Sequence, residues 1–224
     1  MKIWRLSTKD RISGYPFVQT KEEAQYYLKV FKKFYRQKLV IEHWQPTLIC
    51  NLHEVDIGQV VFNSQQFWII TEKANEVLAP LIKDKAEYLP LLSRKEFYKK
   101  ISTYKQLRYR KTYKPIIETI HLEQQYLLNI LDIKTAEIID FKHSEFEYDE
   151  EDDTIYAINK LGFLPEKIKN THMFKIKNAG IYFRSAIFVS DEFRKIVEAN
   201  NLTGLKFIDK PEDEGGNLVW SQSS

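Results

Sequence analysis

Glycine is scarce in this chain, seven residues in 224. A phosphate cradle needs successive backbone positions free of Cβ atoms, and no Walker sequence, dinucleotide fingerprint or Gly-x-Ser-x-Gly elbow occurs. Cysteine is scarcer still. Cys50 stands alone, which excludes an intramolecular disulfide and every zinc arrangement built from several thiolates. No run approaches the ~18 apolar residues of a membrane-spanning helix, and the opening "MKIWRLSTKD" lacks the apolar segment of a secretion signal. The expectation is a soluble, cytosolic protein with no membrane partner.

Catalytic patterns are also missing. The five histidines, His43, His53, His121, His143 and His172, stand far apart with no i,i+4 pair, so the zinc-protease spacing is absent. His121 and His143 each precede a glutamate by two residues, which has no deaminase meaning without further cysteine ligands. Each histidine reads as an ordinary surface or hydrogen-bonded side chain. Ser102 and Lys105 spell S-x-x-K, but the motifs that accompany it in acyl-transfer enzymes are not there. A nucleophile and a base could still be brought together by the fold. The expectation is nonetheless no enzyme, no cofactor and no metal.

What the chain does contain is a globular mixture, 43% hydrophobic and 29% charged, with 13 Tyr, 14 Phe and 4 Trp. "KIWRLS" (2–7) alternates as a strand does. "TKEEAQYYLKVFKKFYRQ" (20–37) predicts a helix: Thr20 and Glu23 make a capping box, and Ala24, Tyr27, Leu28 and Phe31 recur at helical spacing. Short β-like runs follow at 39–43, 47–52, 59–62 and 66–71. Thr71 is placed to cap a helix through about Lys83, burying Ala74, Val77, Leu78, Leu81 and Ile82, with Pro80 expected to kink or shorten it. Extended segments are expected at 87–92, 126–133, 154–164, 172–177 and 181–184.

The most organised stretch is "AIFVSDEFRKIVEANNLTGLKF" (186–207). It reads as a strand at 186–189, Ser190 as N-cap, a helix over 191–200 with Asp191 and Glu192 in its first turn, a turn at 201–204 and a strand at 205–208. Gly204 offers the positive φ of a sharp exit. The fold class is α+β: mixed or antiparallel sheets, a few packed amphipathic helices and a strand–helix–strand unit at the C-terminus. The expected divisions are a β-rich N-terminal subdomain over 1–65 carrying helix 20–37, an α+β domain over 66–210, and a flexible tail over 211–224.

The formal charge is only +3, but the charges are segregated. Residues 94–114 hold nine Lys/Arg against one Glu. Arg94, Lys95, Lys99, Lys100, Arg108 and Arg110, interleaved with Tyr104 and Tyr109, could track a nucleic-acid backbone and stack single-stranded bases. They could equally form a solvated face whose tyrosines point inward, or meet an acidic segment of the same protein. The near-neutral total argues against nucleic acid as the partner. Residues 144–153, "SEFEYDEEDD", hold seven acids and no base. Glu145, Glu147, Asp149, Glu150, Glu151, Asp152 and Asp153, with Tyr148 among them, could mimic a phosphate backbone and plug a basic cleft. They could also form a solvated loop between strands. Calcium is a weaker option, since the EF-hand spacing and its glycine are missing.

Three segments in order, "YLLNILDIKTAEIIDF" (126–141), "FLPEKIKNTHMFKIK" (163–177) and 186–207, resemble the bacterial immunity proteins of polymorphic toxin systems, in particular immunity family eleven. Family forty-three has a similar layout. "ITEKANEVLAPLIKDKAEYLPL" (70–91) resembles the preceding part of the family pattern, so the resemblance covers about 66–209, with 94–125 as an insertion. It implies a small cytosolic protein, encoded beside a secreted toxin, that neutralises the toxin by stoichiometric binding and has no catalytic activity. The recurring residues Phe188, Val189, Phe193, Val197, Leu202 and Phe207 are core-type. Contact with the toxin would then fall on surfaces elsewhere, and the segregated segments 94–114 and 144–153 are the candidates. A nucleic-acid-binding protein using 94–114 is the alternative.

Overall fold

The hydrophobic segments of the C-terminal half fold as alternation and capping dictate. In a computed structural model of the chain, residues 2–8, 11–12, 14–16, 29, 48–50, 55–62, 65–91, 124–149, 154–177 and 186–208 are described. In chain order the elements are β1 (Ile3–Thr8), β2 (Arg11–Ile12), β3 (Gly14–Pro16), β4 (Leu48–Cys50), β5 (Ile57–Phe62), β6 (Gln65–Thr71), α1 (Glu72–Ile82), β7 (Ala86–Pro90), β8 (Gln125–Ile130) and β9 (Ile133–Lys134). There follow β10 (Glu145–Asp149), β11 (Thr154–Lys160), α2 (Pro165–Ile168), β12 (Met173–Ile176), β13 (Phe188–Ser190), α3 (Asp191–Ala199) and β14 (Leu205–Ile208). The helix expected over 20–37 lies outside the described residues apart from Lys29, which is helical. So do the strands expected at 39–43 and 181–184, the basic stretch 94–114 and the tail from 211. The class is α+β. The residues divide into two units, one drawn from Met1–Ser7, Asp132–Ala199 and Lys206–Ser224, the other from Thr8–Leu131 and Asn200–Leu205.

The first unit is built on a five-stranded sheet in the order β14-β1-β13-β12-β9. β13 pairs antiparallel with both β1 and β12, and β12 runs parallel to β9. Every residue of β12 and β13 is buried, the mark of strands covered on both faces. Register tells the faces apart. Phe188 lies opposite Arg5 and Phe174, and with Ile3, Ile138, Ile139, Leu161, Ile168 and Ile176 it forms a hydrophobic cluster. Phe174 stacks on Phe188 at 5.4 Å, and Phe163 meets both edge-on. Val189, Trp4 and Met173 share the other face.

α3 covers that second face. The Ser190 hydroxyl accepts from Phe193 N at 3.1 Å and caps the helix, as its sequence predicts. Asp191 pairs with Lys195 and Glu198 with Arg194 at i,i+4 spacing, while Phe193 and Val197 are buried. Trp4 is buried, donating its indole N–H to the Asp191 carboxylate at 3.1 Å, with Lys2 and Arg194 against its ring at 3.9 and 4.1 Å. Phe207, half-buried rather than fully so, meets Trp4 and Phe193 edge-on.

The second unit holds a five-stranded sheet in the order β2-β5-β6-β8-β7. β5, β6 and β8 are its interior strands, and Phe67, Trp68, Ile69, Ile70, Leu127, Leu128 and Ile130 are its core. Inside this apolar surface Asn129 donates to the facing Glu87 carboxylate at 2.8 Å. Thr71 caps α1, accepting from Ala74 N at 3.3 Å. Ala74, Leu78 and Ile82 are buried as expected, but Val77 and Leu81 are only half-buried. Pro80 stays within the last turn of α1 on its exposed side, where water can satisfy the carbonyl left without a helical donor.

The turn after α3 belongs to this second unit. Asp56 and Thr203 bind each other reciprocally: the Thr203 hydroxyl accepts from Asp56 N at 3.1 Å, and the Asp56 carboxylate accepts from Thr203 N at 2.9 Å. Gly204 adopts φ 95°. A Cβ there would land on the Ile57 carbonyl oxygen and 2.8 Å from Val55 Cβ. Gly204→Ala is therefore expected to lose more than about 2 kcal/mol, since a left-handed φ alone costs an L-residue roughly 1–2 kcal/mol and the backbone oxygen cannot step aside. Asn201→Gly, at φ 49°, serves as the control. Urea unfolding of both variants checks the turn, and a Gly204→Ala protein as stable as its parent would refute it.

Candidate interaction surface

A sheet whose interior strands are covered on both faces leaves its periphery as the accessible part. In the first unit that periphery includes the segment 135–149, which leaves the core at Ile138 and Ile139 and returns at the hairpin. Ile139 bridges Phe163, and Asp140 N donates to the Gly162 carbonyl at 3.0 Å. The chain then makes one 3-10 turn, Phe141–His143. Asp140 starts it as an aspartate cap should: its carboxylate accepts from Lys142 N at 3.1 Å and His143 N at 3.3 Å. The Ser144 hydroxyl closes it, donating to the Asp140 carbonyl at 2.6 Å and accepting from Gly162 N at 2.9 Å. Gly162 packs closely on this turn: a Cβ there would sit 3.3 Å from Asp140 Cβ and 3.4 Å from His143 Cβ, a tight fit.

This brace holds an aromatic ring in water. Phe141 is 55% exposed, the one large hydrophobic so placed among the described residues. Phe146, half-buried at the start of β10, lies 5.7 Å from it and packs on the hydrophobic cluster. The two rings therefore form a continuous path from core to solvent. Burying a phenylalanine is worth about 1.5–3 kcal/mol, so roughly half of that is unrealised here. Lys142, His143 and Glu145 beside it are exposed. His143 Nδ1 meets the Asp140 carboxylate at 2.6 Å, and this hydrogen bond holds the Asp140 carboxyl below its ordinary range.

The acidic segment is not the loop that its composition suggested over its first half. Glu145, Phe146, Glu147, Tyr148 and Asp149 form β10, paired antiparallel with β11 in a hairpin. Register irregularities at Glu145/Phe146 and Glu147/Tyr148 interrupt its pleat. Acids are depleted in strands, which is why composition pointed to a loop. Glu150, Glu151, Asp152 and Asp153 lie outside the described residues, as do Arg94, Lys95, Lys99, Lys100, Tyr104, Arg108, Tyr109 and Arg110. Phe141 and its brace were not among the expected contacts. A lone aromatic between Asp140 and a Lys–His pair, outside any helical or strand period, was the signal available for it.

Among the described residues no group of three or more His, Cys, Asp or Glu side chains is arranged to hold a metal. Lys175, buried in β12, is pushed down to about 8 by loss of water. It is engaged by its neighbours and lies in an interior strand, a structural setting. No helix among the described residues is long and apolar enough to cross a membrane.

Comparison with known families places the surface in context. Residues 118–211 match the model of the immunity protein family Imm11. The resemblance read from the C-terminal segments is thus borne out over that span. The match takes in β8 to β14, hence most of the first unit's described elements and one interior strand of the second sheet. β6, α1 and β7, which the sequence also likened to the family, precede it, although β6 and β7 flank the matched β8. No curated protein matches the chain.

The Asp140 brace has a pH signature. A carboxylate whose folded value is depressed contributes stability that is present above its unfolded value, about pH 4, and lost as pH falls through the folded value. Asp140→Asn should therefore be less stable than the parent at neutral pH, with the gap shrinking on acidification below that range. Chemical denaturation of both proteins at neutral and strongly acidic pH measures it. A gap unchanged by pH would show that the charge of Asp140 contributes nothing.

Proposed function

We propose that this chain is an immunity protein that neutralises a cognate secreted bacterial toxin by stoichiometric protein–protein binding, in the cytoplasm of the toxin-producing cell. The observation that carries this reading is the family match over 118–211. The physical form of the described residues supports it. Polar side chains of the first unit are used in caps, ion pairs and braces, and such groups position a surface rather than carry a reaction. The toxin would be occupied, not chemically altered, and the effect would require roughly equal amounts of the two proteins. Interfaces of this type draw their strength from a few desolvated anchors within a polar rim.

The test is genetic and direct. The toxin domain encoded beside this chain is expressed under a tight promoter, alone and together with this protein. Growth is expected only in the co-expressing cells, and a complex of fixed stoichiometry is expected to survive gel filtration. Death of cells that hold ample soluble protein would defeat the proposal for that pair. So would rescue at amounts far below those of the toxin, which would point to catalysis.

A further inference from the structure

We propose that His172 is a proton-operated latch on the cap of α3: the neutral imidazole holds the Ser190 hydroxyl in its capping position, and protonation of the ring loosens it. This device lies within the first unit and does not depend on the immunity reading.

The bonding of the Ser190 hydroxyl carries it. Ser190 is buried, 1% exposed, so water does not complete its hydrogen bonds. Its oxygen accepts from Phe193 N at 3.1 Å. Its own hydrogen has one acceptor within reach among the described residues, His172 Nδ1 at 3.0 Å. The two residues are held together by their backbones as well, since Ser190 N donates to the His172 carbonyl at 3.2 Å. A hydroxyl has one hydrogen to give, and a neutral imidazole carries a hydrogen on only one of its nitrogens. With that hydrogen on Nδ1, two hydrogens would meet, and the one on Ser190 would turn away with no acceptor, a costly state for a buried group. The neutral ring therefore carries its hydrogen on Nε2 and accepts from Ser190 at Nδ1.

Acid removes that acceptor. A proton taken up from solvent at Nδ1 turns it into a donor, and the buried hydroxyl hydrogen loses its partner. Positive charge also arrives at the N-terminal end of a helix, which disfavours it. The charged groups of the surrounding elements are Asp191, Glu192 and Lys195 of α3, Lys2 ahead of β1, and Lys169 and Lys175 on either side of His172; β13 offers none. Asp191 is already bound to Lys195 and Trp4, Lys2 lies over the Trp4 ring, Lys169 is exposed and Lys175 is engaged by its neighbours. Glu192 alone among the described residues comes within ion-pair distance, 3.7 Å from Nδ1, and its side chain is 63% exposed. An exposed pair contributes little, whereas a buried hydroxyl without an acceptor costs more. The orphaned hydroxyl wins. The stability that this bond contributes is present while the ring is neutral and is lost as pH falls through the range in which an imidazole takes up its proton.

The experiment is urea unfolding of the full chain and of His172→Asn at about pH 7.5 and about pH 5, on either side of the imidazole range. The asparagine amide oxygen accepts from Ser190 but takes up no proton. Between the two conditions the parent's folding equilibrium constant is expected to fall about 5-fold or more relative to that of the variant, the other four histidines being common to both. Glu192→Gln, which removes the compensating carboxylate, should enlarge the parent's fall. Imidazole nitrogen chemical shifts of the unaltered protein provide an arm that does not depend on any variant folding, with the His172 hydrogen expected on Nε2 at neutral pH. A hydrogen found on Nδ1 at neutral pH, or an acid response of the same size in the parent and His172→Asn, overturns the latch.

Discussion

Burial of β12 and β13 on both faces constrains everything else in the first unit. One face is taken by the cluster around Phe174 and Phe188, the other by α3 through Phe193 and Val197. An interior strand so enclosed has no side chain to spare for a partner. What remains accessible lies where the chain leaves the sheet. The 3-10 turn at Phe141–His143 and the hairpin of β10 and β11 are such places. The same constraint explains why the residues most readable as family features are core residues. They define a platform, and the margin lies outside its packing constraints.

That margin is not loose. The turn that exposes Phe141 uses its only acid cap, its serine and the backbone of Gly162 to close on itself. Exposure combined with rigidity is the informative pair. An exposed apolar side chain by itself is ordinary on any protein surface. One whose turn is closed by hydrogen bonds on both sides keeps its apolar area in water.

Much of this fold was legible in the sequence. Ser190 before two acids, Phe193 and Val197 four apart, and a glycine after the helix led to α3 and β14 within a residue of their observed limits and to β13 within two. The signals there are local, so a short window contains the physics. Thr71 ahead of an apolar period did the same for α1. Two kinds of feature were not legible. The strand β10 is written in glutamate, aspartate and aromatics, and it is extended because β11 pairs with it, a non-local cause that overrides propensity. Phe141 stands alone between Asp140 and a Lys–His pair, and no period assigns it a face. Only the turn at Asp140, closed by a serine four residues on and a glycine twenty-two residues on, rotates it outward. Of this margin the sequence thus indicated the acids and missed the exposed ring.

Charge and an exposed ring act on different parts of any binding reaction. Rim carboxylates act at a distance, raise the encounter rate and are weakened by salt. They add little to residence time, because exposed pairs are worth at most about 1 kcal/mol each. An aromatic ring acts only on contact, and its contribution persists in salt because it comes from water released. A surface of acids alone would meet its target quickly and lose it quickly. A fixed ring such as Phe141 would add the second property without disturbing interior strands that are already full.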